Sequence, residues 1–222
     1  MKFGGTSVAN LNRIKNLQQL VKNKILSGHR KIIVVVSAMS GVTNTLVEQY
    51  KKIDSDINKP EYDVILSTGE QYSSALISSF LNKNGVKSRS ILGWQVPIIT
   101  DNKFSQARIE RIDTKKILEL FKKFNVLVVA GFQGINPEGR ITTLGRGGSD
   151  TSAVAMAVAL KSKICEIYTD VEGIFSSDPR VVRNAKKIKN ITYEEILEMA
   201  SLGSKVLHPR SVELAMKYDI KI

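Results

Sequence analysis

The sequence has one cysteine and two histidines among its 222 residues, and aromatic side chains make up only 6% of it. A single thiol cannot close an internal disulfide. Cys165 lies in the apolar run Ile164-Cys165-Glu166-Ile167-Tyr168 and reads as core filler rather than as a catalytic thiol. His29 sits in a polar turn and His208 precedes Pro209 at an expected helix start, so both read as structural. Long hydrophobic runs are also missing: none approaches the roughly 18 residues of a membrane span. Nor does Met1-Lys2-Phe3-Gly4-Gly5 open a stretch resembling a signal peptide. A soluble, cytoplasmic chain with no membrane partner is expected.

Charge of one sign is in excess, at a formal +12. Basic surfaces attract phosphate backbones, yet the lysines are scattered (Lys15, Lys22, Lys52, Lys87 and Lys122 fall on expected solvated helix faces) and no block of five like charges occurs. With few aromatics and no basic-aromatic interleaving there is no platform on which bases could stack. No nucleic-acid partner is expected. Familiar nucleotide signatures are missing too. No glycine is followed by lysine, which excludes a Walker A loop, and G-x-G-x-x-G fails because Asp150 takes the last glycine's place. The H-R-D and D-F-G elements of protein kinases are absent.

What is present is a core: 42% hydrophobic residues over this length can fill one substantial domain, residues 1–222. Residues 10–27 place Leu11, Ile14, Leu17, Val21 and Ile25 at helical spacing and close on Gly28. The β-branched run at residues 31–37 suits a strand buried on both faces. Residues 126–130 and 164–169 read as further strands, with helices over 62–84, 114–124 and 150–160. Residues 54–60 read as a loop, and residues 93–100, with Pro97, as a strand interrupted by a turn. Such alternation argues for an α/β fold with a mainly parallel sheet.

Three glycine turns sit where strands end: Lys2-Phe3-Gly4-Gly5-Thr6-Ser7, Ser37-Ala38-Met39-Ser40-Gly41-Val42-Thr43 and Gly145-Arg146-Gly147-Gly148-Ser149-Asp150. Glycine lets backbone N–H groups approach a phosphate, and a following helix adds its positive end. Extended to Lys2–Val8, Ser37–Thr43 and Thr142–Asp150, these turns, together with Ser67-Thr68-Gly69-Glu70, Gly131-Phe132-Gln133-Gly134, Tyr168-Thr169-Asp170-Val171, Ser177-Asp178-Pro179-Arg180 and Lys205-Val206-Leu207-His208-Pro209, resemble the aspartokinase motifs of the amino acid kinase family, in family order across nearly the whole chain.

The resemblance implies a three-layer αβα sandwich around a mainly parallel sheet. It also implies transfer of the γ-phosphate of ATP, with Mg²⁺, to the side-chain carboxylate of L-aspartate. Carried over by position, Lys2 and Asp150 would be catalytic. Lys2, Phe3, Gly4, Gly5, Thr169, Asp170, Phe175, Arg180, Lys205 and Val206 would bind ATP, and Ser37, Thr43, Glu70, Arg146, Gly147, Gly148 and Ser149 would bind aspartate. Mg²⁺ would be held by the ATP phosphates rather than directly by protein ligands. The family form implies a homo-oligomer and regulatory ACT domains, and against it this chain is expected to be clipped at both ends and to lack those domains. The alternatives are a nucleotide-binding remnant without turnover, or another small-molecule kinase of the same fold.

The residue chemistry agrees with the resemblance. A carboxylate acceptor with a pKa near ~3.9 is already ionised at neutral pH and needs no general base. Transfer to it demands positioning and cancellation of negative charge. An arginine fork such as that of Arg146 suits an α-carboxylate, and Glu70 can pair with an α-ammonium.

Overall fold

The computed structural model describes residues 1–178, 181–202 and 207–222. In chain order its elements are β1 (Lys2–Phe3), a 3-10 turn (Gly5–Val8), α1 (Leu11–Leu26), β2 (Ile32–Val36), α2 (Val42–Lys51), α3 (Pro60–Lys83), β3 (Ser88–Ile91), β4 (Ile98–Thr100) and β5 (Ile109–Ile112). There follow α4 (Thr114–Leu120), β6 (Val126–Ala130), β7 (Gln133–Ile135), β8 (Ile141–Thr143), α5 (Gly148–Ala159), β9 (Ile167–Tyr168), α6 (Tyr193–Ser201) and α7 (Pro209–Lys217).

Local chemistry sets the helix ends. The Asn10 side chain accepts from Arg13 N–H and starts α1, and Gly28 takes a positive φ just beyond its end. Pro60 and Pro209 open α3 and α7 at a position where a missing N–H costs nothing. A reciprocal capping box between Thr192 and Glu195 opens α6.

The central sheet is parallel throughout, in the order β3-β6-β2-β1-β9. Its inner strands β6, β2 and β1 are buried on both faces, as a β-branched run such as Ile-Ile-Val-Val-Val allows, while the edge strands β3 and β9 are partly exposed. Successive residues face opposite layers. Val34, Val36, Val126 and Val128 pack with Ile14, Leu17 and Val21 of α1 and Ile77 and Leu81 of α3. On the other face Val35, Leu127 and Val129 pack with Ala153, Val154 and Met156 of α5, Ile117 of α4 and Ala215 of α7. This is the expected three-layer αβα sandwich. A second sheet, β5-β4-β7-β8, is mixed, and its β7–β8 hairpin delivers the chain into α5.

Because the central strands run the same way, their carboxyl ends share one edge. At β1 the order reverses: α1 carries the chain to β2 on one side, while β9 arrives on the other. Open α/β sheets bind ligands in the crevice outside such a switch point.

Candidate functional site

Lys2 stands on β1 at this switch point, 9% exposed, with its Nζ 2.7 Å from Asp150 Oδ1 in the first turn of α5. Two short spans of chain separated by nearly 150 residues are thereby joined. Beyond Lys2 the chain turns through Gly4, and a side chain there would extend to within 3.6 Å of Lys2 Nζ. Gly5 presses against the loop after β2. A Cβ on it would lie 2.7 Å from the Ala38 carbonyl oxygen, so only glycine lets these loops close on each other. Ser40 N–H donates to Gly5 O, and Ser37 N–H to Phe3 O, at 3.2 and 3.1 Å.

Glu70 reaches the same loop from the middle of α3. It is 3% exposed, and its Oε1 accepts from Ala38 N–H at 3.0 Å. Its Oε2 is buried with no hydrogen-bond partner. Burial pushes its carboxyl up to about 7, although the Ala38 N–H pulls the other way. A surface ion pair between Glu70 and Arg146 is therefore excluded: Glu70 is inside, and Arg146 is exposed with no ion pair among the described residues.

The third loop enters α5 through Gly145 and Gly147, both in the left-handed region at φ 73° and 69°. Gly147 is the N-cap, and Asp150, in the first turn of the helix, turns its carboxylate to Lys2. Ser149 packs its hydroxyl against Gly131 at the end of β6. The helix start gives this edge a positive dipole end.

Thus Lys2, Gly4, Gly5, Ser37, Glu70, Gly147, Gly148, Ser149 and Asp150 come together at one edge. Thr43 lies nearby in the first turn of α2, whose Val42 packs toward Gly69. Phe3 stacks on Tyr168 with ring centres 4.6 Å apart, which carries Thr169 and Asp170 to the β1 side of the edge, where Thr169 Oγ1 donates to Asp170. Phe175 lies further along, bridged to Lys187, with no described contact to the Lys2–Asp150 pair. Arg180, Lys205 and Val206 fall outside the described residues. Cys165 is buried, and burial pushes its thiol up to about 11, in keeping with core filler.

Sequence reasoning missed Asp63, buried in α3, and the packing of the His208 ring on Gly147. A signal for the first exists. Asp63, Ser67, Glu70 and Ser74 repeat at spacings of four and three, a polar stripe that the structure turns inward. Burial, together with the positive charge of Arg210, lowers the His208 pKa.

A three-layer α/β sandwich with glycine loops and a buried lysine at its switch point defines a class built to hold anionic small molecules. The model of the amino acid kinase family matches residues 1–222, and the chain belongs to that family. It is 52% identical over 223 residues to an aspartokinase of Rickettsia felis and 49% identical over 221 residues to one of Geobacillus stearothermophilus, which covers 99% and 100% of this chain and 55% and 54% of those proteins. The chain thus spans about half the length of the curated relatives it matches. Among solved structures it resembles an aspartate kinase from Synechocystis (48% identity, TM-score 0.85, 99% of this chain and 36% of that one). It also resembles E. coli aspartokinase III in complex with aspartate and ADP (31% identity, TM-score 0.85, 99% and 59%). No described helix is long and apolar enough to cross a membrane.

Proposed function

We propose that this chain transfers the γ-phosphoryl group of ATP to the side-chain carboxylate of L-aspartate, giving 4-phospho-L-aspartate and ADP, the first step toward lysine, threonine and methionine. The observation that carries the reading is the Lys2–Asp150 pair, 2.7 Å long and largely buried, set beside two glycine loops and the N-terminus of α5. The relatives named aspartokinase support aspartate as the acceptor.

In this reading a side-chain oxygen of aspartate attacks the γ-phosphorus, an O–P bond forms, and the bond to the β–γ bridging oxygen breaks to release ADP. The acceptor is ionised and loses no proton. The chain's work is therefore positional and electrostatic. Lys2 Nζ follows the charge on the moving phosphoryl group, Asp150 holds that ammonium in place, and the loop N–H groups take the remaining oxygens. The unpartnered Oε2 of Glu70 receives the α-ammonium of aspartate, and Arg146 forks onto its α-carboxylate. ATP enters as its Mg²⁺ complex. The ion would be held chiefly by phosphate oxygens and water.

Trapping the acyl phosphate with hydroxylamine tests this. Purified protein with ATP and Mg²⁺ should form hydroxamate from aspartate, and little from glutamate or carbamate. Equal or greater product from either competitor would reject aspartate as the substrate.

A further inference from the structure

Arg146 reaches the site on one span of chain, residues 144–148, that leaves β8 and enters α5. Its guanidinium makes no hydrogen bond or ion pair among the described residues, so its direction depends on the backbone beneath it. Two charged side chains fix that backbone. On one side Asp63 of α3, fully buried, accepts from Thr143 N–H and Thr143 Oγ1, each at 2.7 Å, and with both oxygens from Ser105 N–H at 3.0 Å. On the other side Arg210 of α7 donates from Nη1 to Leu144 O at 2.6 Å and from Nη2 to Ala107 O at 3.1 Å.

The carboxylate thus gathers N–H groups of two neighbouring spans, and the guanidinium gathers their carbonyls. Between them Ala107 N–H donates to Thr143 O at 2.9 Å. The Ser105 carbonyl presses so close to Gly145 that a Cβ there would lie 2.8 Å away. Hydrogen bonds to ionised groups are stronger than neutral ones and impose direction as well as energy. A fork donating to two carbonyls, and a carboxylate taking three donors, leave residues 143–145 little freedom to shift.

We infer that Asp63 and Arg210 are positioning residues for the acceptor half of the site: they clamp the span from Thr143 to Gly145 and so aim Arg146 at an amino-dicarboxylate, without touching it. The inference rests on the reading of residues 146–149 as the acceptor's binding loop. Removing the clamp affects the acceptor more than ATP, because Lys2 stands on β1, whose register the central sheet sets, and Asp150 sits inside α5, which packs on that sheet through Ala153, Val154 and Met156 rather than through the clamped span.

The test uses Arg210→Met, Arg210→Lys and Asp63→Asn in the full chain. Displacing a binding group by about an ångström costs up to roughly a hundredfold, so Arg210→Met should raise the KM for aspartate about tenfold or more while the KM for ATP stays within about threefold. Arg210→Lys, which can still reach one carbonyl, should recover part of the loss. A second reading needs no turnover: the rate of tryptic cleavage after the exposed Arg146 should rise in Arg210→Met and Asp63→Asn, while cleavage after Arg30, in a distant exposed turn, stays unchanged. Wild-type protein that phosphorylates no aspartate would refute the proposed function, and the cleavage comparison would still decide the clamp. Equal rises in both KM values, or an unchanged KM for aspartate in Arg210→Met, would overturn the proposal. So would faster cleavage at Arg146 and Arg30 together, since that marks general destabilisation.

Discussion

Glu70 shows stability and binding pulling against each other on one side chain. Its carboxyl is raised from an ordinary 4.5 to about 7, chiefly by burial. Between those values the folded chain keeps a proton that the unfolded chain has released, so stability falls as pH rises through the window and changes no further above it. For a group this deeply buried the difference amounts to roughly 3 kcal/mol. Glu70→Gln lacks the proton. Urea unfolding at pH 5 and pH 8 should therefore show a smaller loss of stability with rising pH in the variant than in wild type. Binding runs the other way, because an α-ammonium needs the ionised carboxylate. The KM for aspartate should fall as pH rises through about 7, and Glu70→Gln should remove that dependence. Identical pH slopes for wild type and variant would reject both statements. The residue itself was legible in the sequence through its motif, but its depth was not. The stripe Asp63, Ser67, Glu70, Ser74 places polar groups on one helix face, and only packing tells whether that face meets water or the sheet.

Elements built from long, regular runs were legible, and short ones were not. Residues 10–27 and 62–84 were expected as helices and form as α1 and α3 within a residue or two. The strand expected over 126–130 forms as β6. The strand expected over 164–169 shrinks to Ile167–Tyr168, because its partner β1 offers only Lys2 and Phe3 for pairing, and Ile164 bridges to Lys221 instead. The helix expected over 114–124 ends at Leu120 and runs on as turns. Helices α2 and α6 and the strands β3, β5, β7 and β8 were not read at all. Ile-Glu-Arg-Ile and Gln-Gly-Ile carry too few alternating residues to show a period.

The junction of α5 and α7 tests how these elements support the site. Gly147 is left-handed, and a Cβ on it would lie 2.1 Å from His208 Cγ. Gly147→Ala therefore adds a ring clash to a backbone cost of roughly 1–2 kcal/mol. His208→Gly in the same chain removes the clash, since the His208 Cβ would itself lie 2.4 Å away, and leaves the backbone cost at residue 147. The double variant should accordingly melt above Gly147→Ala alone. Additive losses would show that the two residues do not meet.

On the scale of the molecule, the central sheet separates two apolar layers that share its strands. Ile77 on α3 belongs to one layer and Ile117 on α4 to the other, and neither has exposed surface. Shortening either to valine removes one methylene and leaves a small void, at about 0.5–1.5 kcal/mol each. Lying on opposite faces, the two appear in separate clusters of packed side chains, so their costs should add to within about 0.5 kcal/mol. Yet both layers rest on alternate residues of the same strands, Val34 and Val36 on one face and Val35 on the other. Neither layer can come apart without exposing the sheet that supports its neighbour. The urea slope m, which scales with the surface exposed on unfolding, should therefore be the same for wild type, Ile77→Val, Ile117→Val and the double variant. A lower m in one single variant would mean that its layer melts separately. In that case the site at the strand ends, which draws Glu70 from the α3 layer and Asp150 from the α5 layer, could lose one half of its groups while the other stays folded.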